Sequence, residues 1–328
     1  MPLRALSEAS ARARRGTQRA RNAAVAGALE AALSAAGRVS LERALQLSEG
    51  IGTALYRLLG TSRRRTLHHL DIAFGHGLQP AAREHVARAS FVNIARSICE
   101  LAKIDAIRAC AGTYFEVDGW EHTEQLRTGA VMVTGLIGNW ELLAAYFAWQ
   151  GIPVASVARR LDAGRLQRRL IDYRERQGIE TILREGPHAA QQILRVLTAN
   201  GLLAVVIDQE TRAAAVSIPF FGRLAHSAVA AASLAIRSEI PALPVFIQRR
   251  AEGGHRITVN PPCRIEPSGD QRADGRTLTH RLNSVLEAQI RRNPAEWVWW
   301  PRRAPATRLA IDPDFQYTAQ DTVLRHRG

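Results

Sequence analysis

The sequence predicts an α/β protein with a mixed central sheet flanked by helices and a helical N-terminal region. From residue 131 onward, short apolar runs alternate with segments of helical periodicity. Strands joined by helical crossovers give this pattern, and they build a mainly parallel or mixed sheet covered on both faces. Before that point, residues 23–60 and 81–110 carry apolar residues at helical spacing, as in Leu41, Leu45, Leu55 and Leu58. A length of 328 residues, 46% of them hydrophobic, supplies a large core for one α/β domain with an appendage.

Along the chain, residues 1–22 hold six arginines against Glu8 and read as a basic arm. The next stretch, "AAVAGALEAALSAAG" (23–37), is broken by Glu30 and falls short of the roughly 20 apolar residues a membrane span needs. It suits an interfacial helix beside a basic arm, and equally an ordinary packing helix. With it, residues 23–110 form a helical, membrane-proximal region, including the basic run "SRRRTLHHLDIAF" (62–74). Residues 111–303 are the α/β domain. Its strands are "VMVTG" (131–135), "PVASVA" (153–158), "IETIL" (179–183), "LLAVVI" (202–207), "LPVFIQR" (243–249) and "RITVN" (256–260), the last following an "EGGH" turn. Helices over 141–150, 163–177, 187–199, 225–238 and 277–293 separate or follow them. Residues 304–328 are a polar, proline-spaced tail expected to wrap the surface.

The net charge is +14, and every basic residue but Lys103 is arginine; the pI is near 11.1. Guanidinium forks suit phosphates and carboxylates, so anionic partners are indicated. An anionic membrane surface fits. Nucleic acid is disfavoured, since no helix-turn-helix, zinc-finger or RNA-binding signature is present. Cys99, Cys110 and Cys263 lie far apart without metal-ligand spacing, which points to no metal site and to a reducing compartment. No long apolar segment of the secretory type lies near Met1.

Four stretches carry chemistry. "TGLIGNWELLA" (134–144) reads as strand, glycine turn and helix start, with Leu136 at the strand tip. "ARRLDAGRLQRRLIDYRERQG" (158–178) is an arginine-rich helix after a strand; Arg165, Arg168, Arg169, Arg174 and Arg176 read as its solvated face. A third block places Asp208 and Gln209 at a strand end, followed by Pro219, Phe220, Phe221, Gly222 and Arg223. The fourth is "IRRNPAEWVWWPRR" (290–303), whose alternating Trp297 and Trp299 beside Trp300, Arg302 and Arg303 suit an amphipathic strand or an interfacial element.

Together these blocks resemble the bacterial lipid A late acyltransferases, the lauroyl and myristoyl transferases of the lysophospholipid acyltransferase superfamily. That family shows "GHFGNWE", an arginine block after the next strand, "DQ…PFFG", and "P-x-x-W-x-W-x-H-R-R", and the resemblance spans about residues 50–303. It implies a glycerol-phosphate acyltransferase-like fold and acyl transfer to a hydroxyl of a phosphorylated glycolipid or lysolipid. The implied acyl donor is an acyl-carrier protein or acyl-CoA thioester, with no other cofactor. The implied location is the cytoplasmic face of the cell inner membrane, peripherally or weakly anchored.

The resemblance also implies roles. A hydroxyl is a poor nucleophile, so a base must take its proton as it attacks the thioester. The family uses a histidine with an acidic residue five positions on, which orients the imidazole as in a Ser-His-Asp triad. Here Glu141 matches the carboxylate, and Gly138, Asn139 and Trp140 match the turn, but Leu136 occupies the histidine position. Glu141 is thereby either an orphaned catalytic carboxylate or an acid favoured in a first helical turn. By resemblance Arg159, Asp208, Gln209, Phe220, Phe221, Gly222 and Arg223 bind or shape substrate, while Phe220 and Phe221 equally suit core packing. Pro301 replaces the histidine of the last motif. Three readings stand side by side: a silent homologue binding anionic lipid or acyl-carrier protein, an enzyme using another base, or a chain altered at 136. If the site is a family site that lacks its base, an imidazole restored at 136 is expected to restore or raise transfer through Glu141; if another group is the base, it is not. His226, beyond the "PFFGRLA" loop, is the first alternative base, whereas His68 and His69 read as surface or core.

Overall fold

The computed structural model describes residues 27, 34–160, 164–209 and 215–301. The basic arm, most of the alanine-rich stretch, Glu210, Arg302, Arg303 and the C-terminal tail lie outside the described residues. Helices α1 (Leu41–Leu58), α2 (Gly60–Phe74), α3 (Pro80–Ala102), α4 (Ile104–Ala109) and α5 (Ala111–Tyr114) form the N-terminal region. The periodicity seen over 23–60 is thus interrupted. Ser40 caps α1, its side chain accepting from the Arg43 N–H at 3.3 Å, and a new helix starts at Gly60.

The strands are β1 (Phe115–Asp118), β2 (Ala130–Thr134), β3 (Val154–Ala158), β4 (Ile179–Leu183), β5 (Leu202–Val206), β6 (Ala215–Phe220), β7 (Arg223–Ala228), β8 (Ala242–Arg249) and β9 (His255–Val259). Between them run α6 (Trp140–Trp149), α7 (Gly164–Arg176), α8 (Ala189–Thr198) and α9 (Ala230–Arg237), and α10 (Gln271–Arg292) follows β9. Seven strands form one sheet in the order β1-β9-β8-β2-β5-β3-β4. Strands β8, β2, β5, β3 and β4 are parallel, and β9 runs antiparallel to β8 with β1 parallel to β9. The fold is therefore the mixed, helix-flanked sheet that the alternation of elements predicts.

Central β2 is buried along its whole length. Its pleat sends Val131 and Val133 into one apolar layer with α9, α10 and the aromatic residues of β6, and Ala130 and Met132 into the opposite layer with α4 and α6. Tyr56, Leu70, Ala87 and Phe91 from α1–α3 enter the first layer, so the helical region shares a core with the sheet.

Two expectations are corrected. The segment 225–238 is not one helix: Arg223–Ala228 is β7, paired antiparallel with β6, and only Ala230–Arg237 is helical. Its alanines mimic a helical pattern, but Phe221 and Gly222 both adopt positive φ (52° and 70°), the geometry of a tight hairpin turn, and this turn pulls the residues after it into a strand. Strands β1, only four residues long at the edge of the sheet, and β6, which contains Pro219, give no strand signal in the sequence.

Candidate functional site

The turn after β2 is held by backbone more than by side chains. Its Leu136 N–H donates to Asp208 Oδ2 at 2.8 Å, and the indole N–H of Trp297 donates to the same oxygen at 2.6 Å. Asp208 is buried just beyond the end of β5, the neighbour of β2, so the parallel register brings a carboxylate to the turn. The Val298 N–H donates to the Leu136 carbonyl and the Gly138 N–H to the Glu296 carbonyl, each at 3.0 Å. This stitches the tryptophan segment to the turn through an Ile137–Trp297 bridge.

Both glycines sit in tight surroundings, and Gly138 is the one that backbone geometry requires. A Cβ on Gly135 would stand 2.7 Å from Leu286 Cδ1 and 2.8 Å from Asp208 Oδ2. Gly138 has φ 61°, and a Cβ there would strike the Ile247 carbonyl.

Asn139 caps α6, its Oδ1 accepting from the Leu142 N–H at 3.3 Å. Its amide donates to Glu100 Oε2 at 2.8 Å, and so reaches a buried network that no sequence motif marks. There Glu100 pairs with Arg249, accepts from Tyr114 at 3.0 Å and contacts His255 Nε2 at 2.9 Å. Arg249 Nε also donates to Asn93 at 2.7 Å and Nη2 to Ser97 at 3.1 Å. Burial alone would push the Glu100 carboxyl up, but Arg249 and His255 hold it well below the usual carboxylate range. Glu296 behaves oppositely: burial pushes its carboxyl up to about 7, although it accepts from the Arg249 N–H. No sequence signal joins residues some 150 positions apart.

Glu141 lies in the first turn of α6, as expected, but its carboxylate does not face Leu136 unpaired. Arg174 of α7 grips it with Nε at 2.9 Å and Nη2 at 2.6 Å, both side chains under 10% exposed. Arg174 is therefore not on the solvated face of its helix. It shares the sheet-facing side with buried Gln167, and the buried carboxylate of Glu141 compensates its charge. The two layers also separate the pieces: Leu136 packs with the α9/α10 layer, whereas Leu142, Leu143 and Phe147 of α6 fill the other.

An apolar cavity of about 60 Å³ lies in the layer that receives Leu136, walled by Phe220, Phe221, Leu224, Trp297 and Trp299. The rings interlock: Phe220 and Phe221 centroids are 4.8 Å apart, Trp297 and Trp299 4.6 Å, and Phe221 and Trp299 6.0 Å. Arg223, next in the hairpin after Gly222, lines the same cavity, as does His69 of α2. Arg159 follows β3 and is exposed, and Gln209 is exposed beyond β5. The structure thus gathers Leu136, Asp208, Phe220, Phe221 and Arg223 in one region, turns Asn139 and Glu141 toward other partners, and leaves Arg159 and Gln209 at the surface. His226 does not line the cavity; it is exposed on β7 beside Ser217 at 3.3 Å. His69, read as surface or core, does line it. Among the described residues no three His, Cys, Asp or Glu side chains converge as metal ligands, and no helix is long and apolar enough to cross a membrane.

Residues 24–304 match the family described as bacterial lipid A biosynthesis acyltransferase. A phosphatidylinositol mannoside acyltransferase of Mycolicibacterium smegmatis is 29% identical over 172 residues, 52% of this chain and 54% of the relative. The protein of the same name from Mycobacterium tuberculosis H37Rv is 27% identical, covering 52% of each chain. The match therefore spans about half the length of these relatives.

Proposed function

The chain belongs to the bacterial lipid A biosynthesis acyltransferase family, and from that premise we propose that it moves an acyl chain from an acyl-carrier protein or acyl-CoA thioester to a hydroxyl of a phosphorylated glycolipid or lysolipid. The observation that carries this reading is the meeting of the β2 turn, Asp208 and Trp297 beside an aromatic-walled cavity at the carboxyl edge of parallel strands, where open α/β sheets bind ligands. In this reading Phe220 and Phe221 pack the acyl chain. Arg223 and exposed Arg159 offer guanidinium groups to the acceptor's phosphate or the donor's acidic groups. Asp208 fixes the turn, and Gln209 and Gly222 shape its surroundings. Both the lipid A family and the named mannoside acyltransferases point to a phosphorylated glycolipid acceptor.

Peripheral attachment to an anionic membrane, at the cytoplasmic face of the inner membrane, belongs to the same proposal. Helix α1 buries Ala44, Ser48, Gly52 and Tyr56, yet presents Leu47 (59% exposed), Ile51 (38%) and Leu58 (79%) along a second stripe. Exposed Arg43, Arg57 and Arg64 accompany it, the composition of an interfacial helix.

A second reading, a silent homologue that binds anionic lipid or acyl-carrier protein, is favoured by Leu136 and by the capture of Glu141 by Arg174. One experiment separates them. Purified protein is incubated with acyl-carrier-protein and CoA thioesters and a panel of lysolipids, lipid A precursors and mannosylated phosphoinositides, and products are weighed by mass spectrometry. Acylated lipid supports the enzyme; lipid or carrier binding without product supports the silent homologue.

A further inference from the structure

An acyltransferase without histidine at the turn needs another group to take the acceptor's proton, and the aromatic-walled cavity holds one. His69 of α2 lines it together with Phe220, Phe221, Trp297 and Trp299. His69 Nδ1 lies 2.6 Å from the Trp299 carbonyl oxygen. A carbonyl oxygen only accepts, so Nδ1 carries the proton, and the neutral ring keeps a lone pair on Nε2. The carbonyl here does what the carboxylate does in a Ser-His-Asp triad, fixing both tautomer and ring orientation. The carbonyl is itself anchored: the Val298 N–H bonds to the Leu136 carbonyl at 3.0 Å, Trp299 Nε1 donates to the Pro294 carbonyl at 2.7 Å, and Arg65 of α2 holds the Trp300 carbonyl at 3.0 Å. Burial lowers the ring's pKa from the ordinary histidine range, which the Trp299 carbonyl partly offsets and the neighbouring His68 and Arg65 charges reinforce. The ring is therefore neutral and able to accept at neutral pH.

We propose that His69 is the general base of this protein, taking over from a distant helix the role that position 136 cannot play. The inference rests on the acyl-transfer reading. In the step, the acceptor hydroxyl gives its proton to His69 Nε2 while its oxygen bonds to the thioester carbonyl carbon. The carbon–sulfur bond then breaks, and the departing thiolate takes the proton from the imidazolium, leaving an ester, a thiol and the neutral ring. Leu136 becomes intelligible on the same terms: it packs against the apolar cluster to which Phe220, Phe221, Trp297 and Trp299 belong.

The test compares wild type with His69→Asn, His69→Gln and His68→Gln. Asparagine sets an N–H donor close to where Nδ1 stands, so it preserves a purely structural bond to the Trp299 carbonyl but cannot accept a proton. His69→Asn and His69→Gln are expected to lose about 10²–10⁴-fold in kcat, with KM and melting temperature little changed, while exposed His68→Gln stays within twofold. Wild-type transfer with full activity in His69→Asn overturns the inference and leaves the acyl-transfer reading standing. The second arm needs no turnover. In ¹⁵N-histidine-labelled wild type, the His69 ring should show an Nδ1-protonated tautomer whose Nε2 resonance moves when a non-hydrolysable acyl-CoA thioether is added. If wild type forms no product with any donor and acceptor, the acyl-transfer reading fails. An Nε2-protonated ring, or a resonance indifferent to the thioether, overturns the role of His69 in either case.

Discussion

At position 136 the contacts that hold the turn are made by main chain. The Leu136 N–H and carbonyl bind Asp208 and Val298, two bonds that do not involve the side chain at 136. Glu141, the matching carboxylate, is held by both prongs of Arg174, and separating a buried pair costs about 3–5 kcal/mol. Glu141 is accordingly not free to orient a new ring. Leu136→His is expected to change kcat/KM for acyl transfer by less than about tenfold, well short of the ~10²–10⁴ that a poised base supplies. Steady-state kinetics on the variant check this, and a hundredfold gain would mean that Glu141 leaves Arg174. The sequence marks Gly138, Asn139 and Glu141 as special because a tight turn and a helix start demand such residues. It does not reveal Arg174, whose burial depends on how α7 sits against the sheet.

The elements around the turn are tied by buried charge. Helix α3 brings Glu100, Asn93 and Ser97 to Arg249 at the end of β8 and His255 at the start of β9, and Glu296 caps the bundle through the Arg249 N–H. The Glu296 carboxyl sits at about 7 in the folded protein, above its unfolded range near 4.3. Its protonated form is therefore the one that folding favours. The associated stability is fully present below about pH 4.3 and is lost as pH rises through 7. Glu296→Gln removes this term, so the variant should gain stability relative to wild type between about pH 4.5 and 7 and then level off. Paired urea titrations across that range measure it, and a constant difference would contradict it. Strands β2, β3, β4, β5, β8 and β9 are legible in the sequence because buried parallel strands are apolar runs bounded by turns. The β6–β7 hairpin is not legible, because its turn rests on a positive φ at Phe221, a residue that gives no turn signal. The Glu100 network is equally hidden, since its members are joined only by the topology.

On the scale of the whole molecule, the charge of +14 and the exposed Leu47–Ile51–Leu58 stripe describe one surface habit, apolar contact beside arginine. Burying a leucine or isoleucine side chain is worth about 1.5–3 kcal/mol. A Leu47→Ser/Ile51→Ser/Leu58→Ser chain should then bind anionic vesicles at least about tenfold more weakly in a sedimentation assay, with the remaining binding abolished by high salt. Unchanged binding would place the membrane contact elsewhere. The basic N-terminal arm, conspicuous in the sequence, lies outside the described residues, and deleting residues 1–37 tests its share separately. The proposed function is acyl transfer by a chain that carries Leu136 at its β2 turn. Its most direct test is acceptor-dependent thiol release by the wild-type chain, read together with the mass of acylated lipid formed. Acyl transfer by this protein should release one thiol per ester formed, at a rate well above the protein-free mixture and only when a hydroxylated phospholipid or glycolipid acceptor is present. Thiol release indifferent to the acceptor, or none beyond the protein-free rate with every donor, would contradict it.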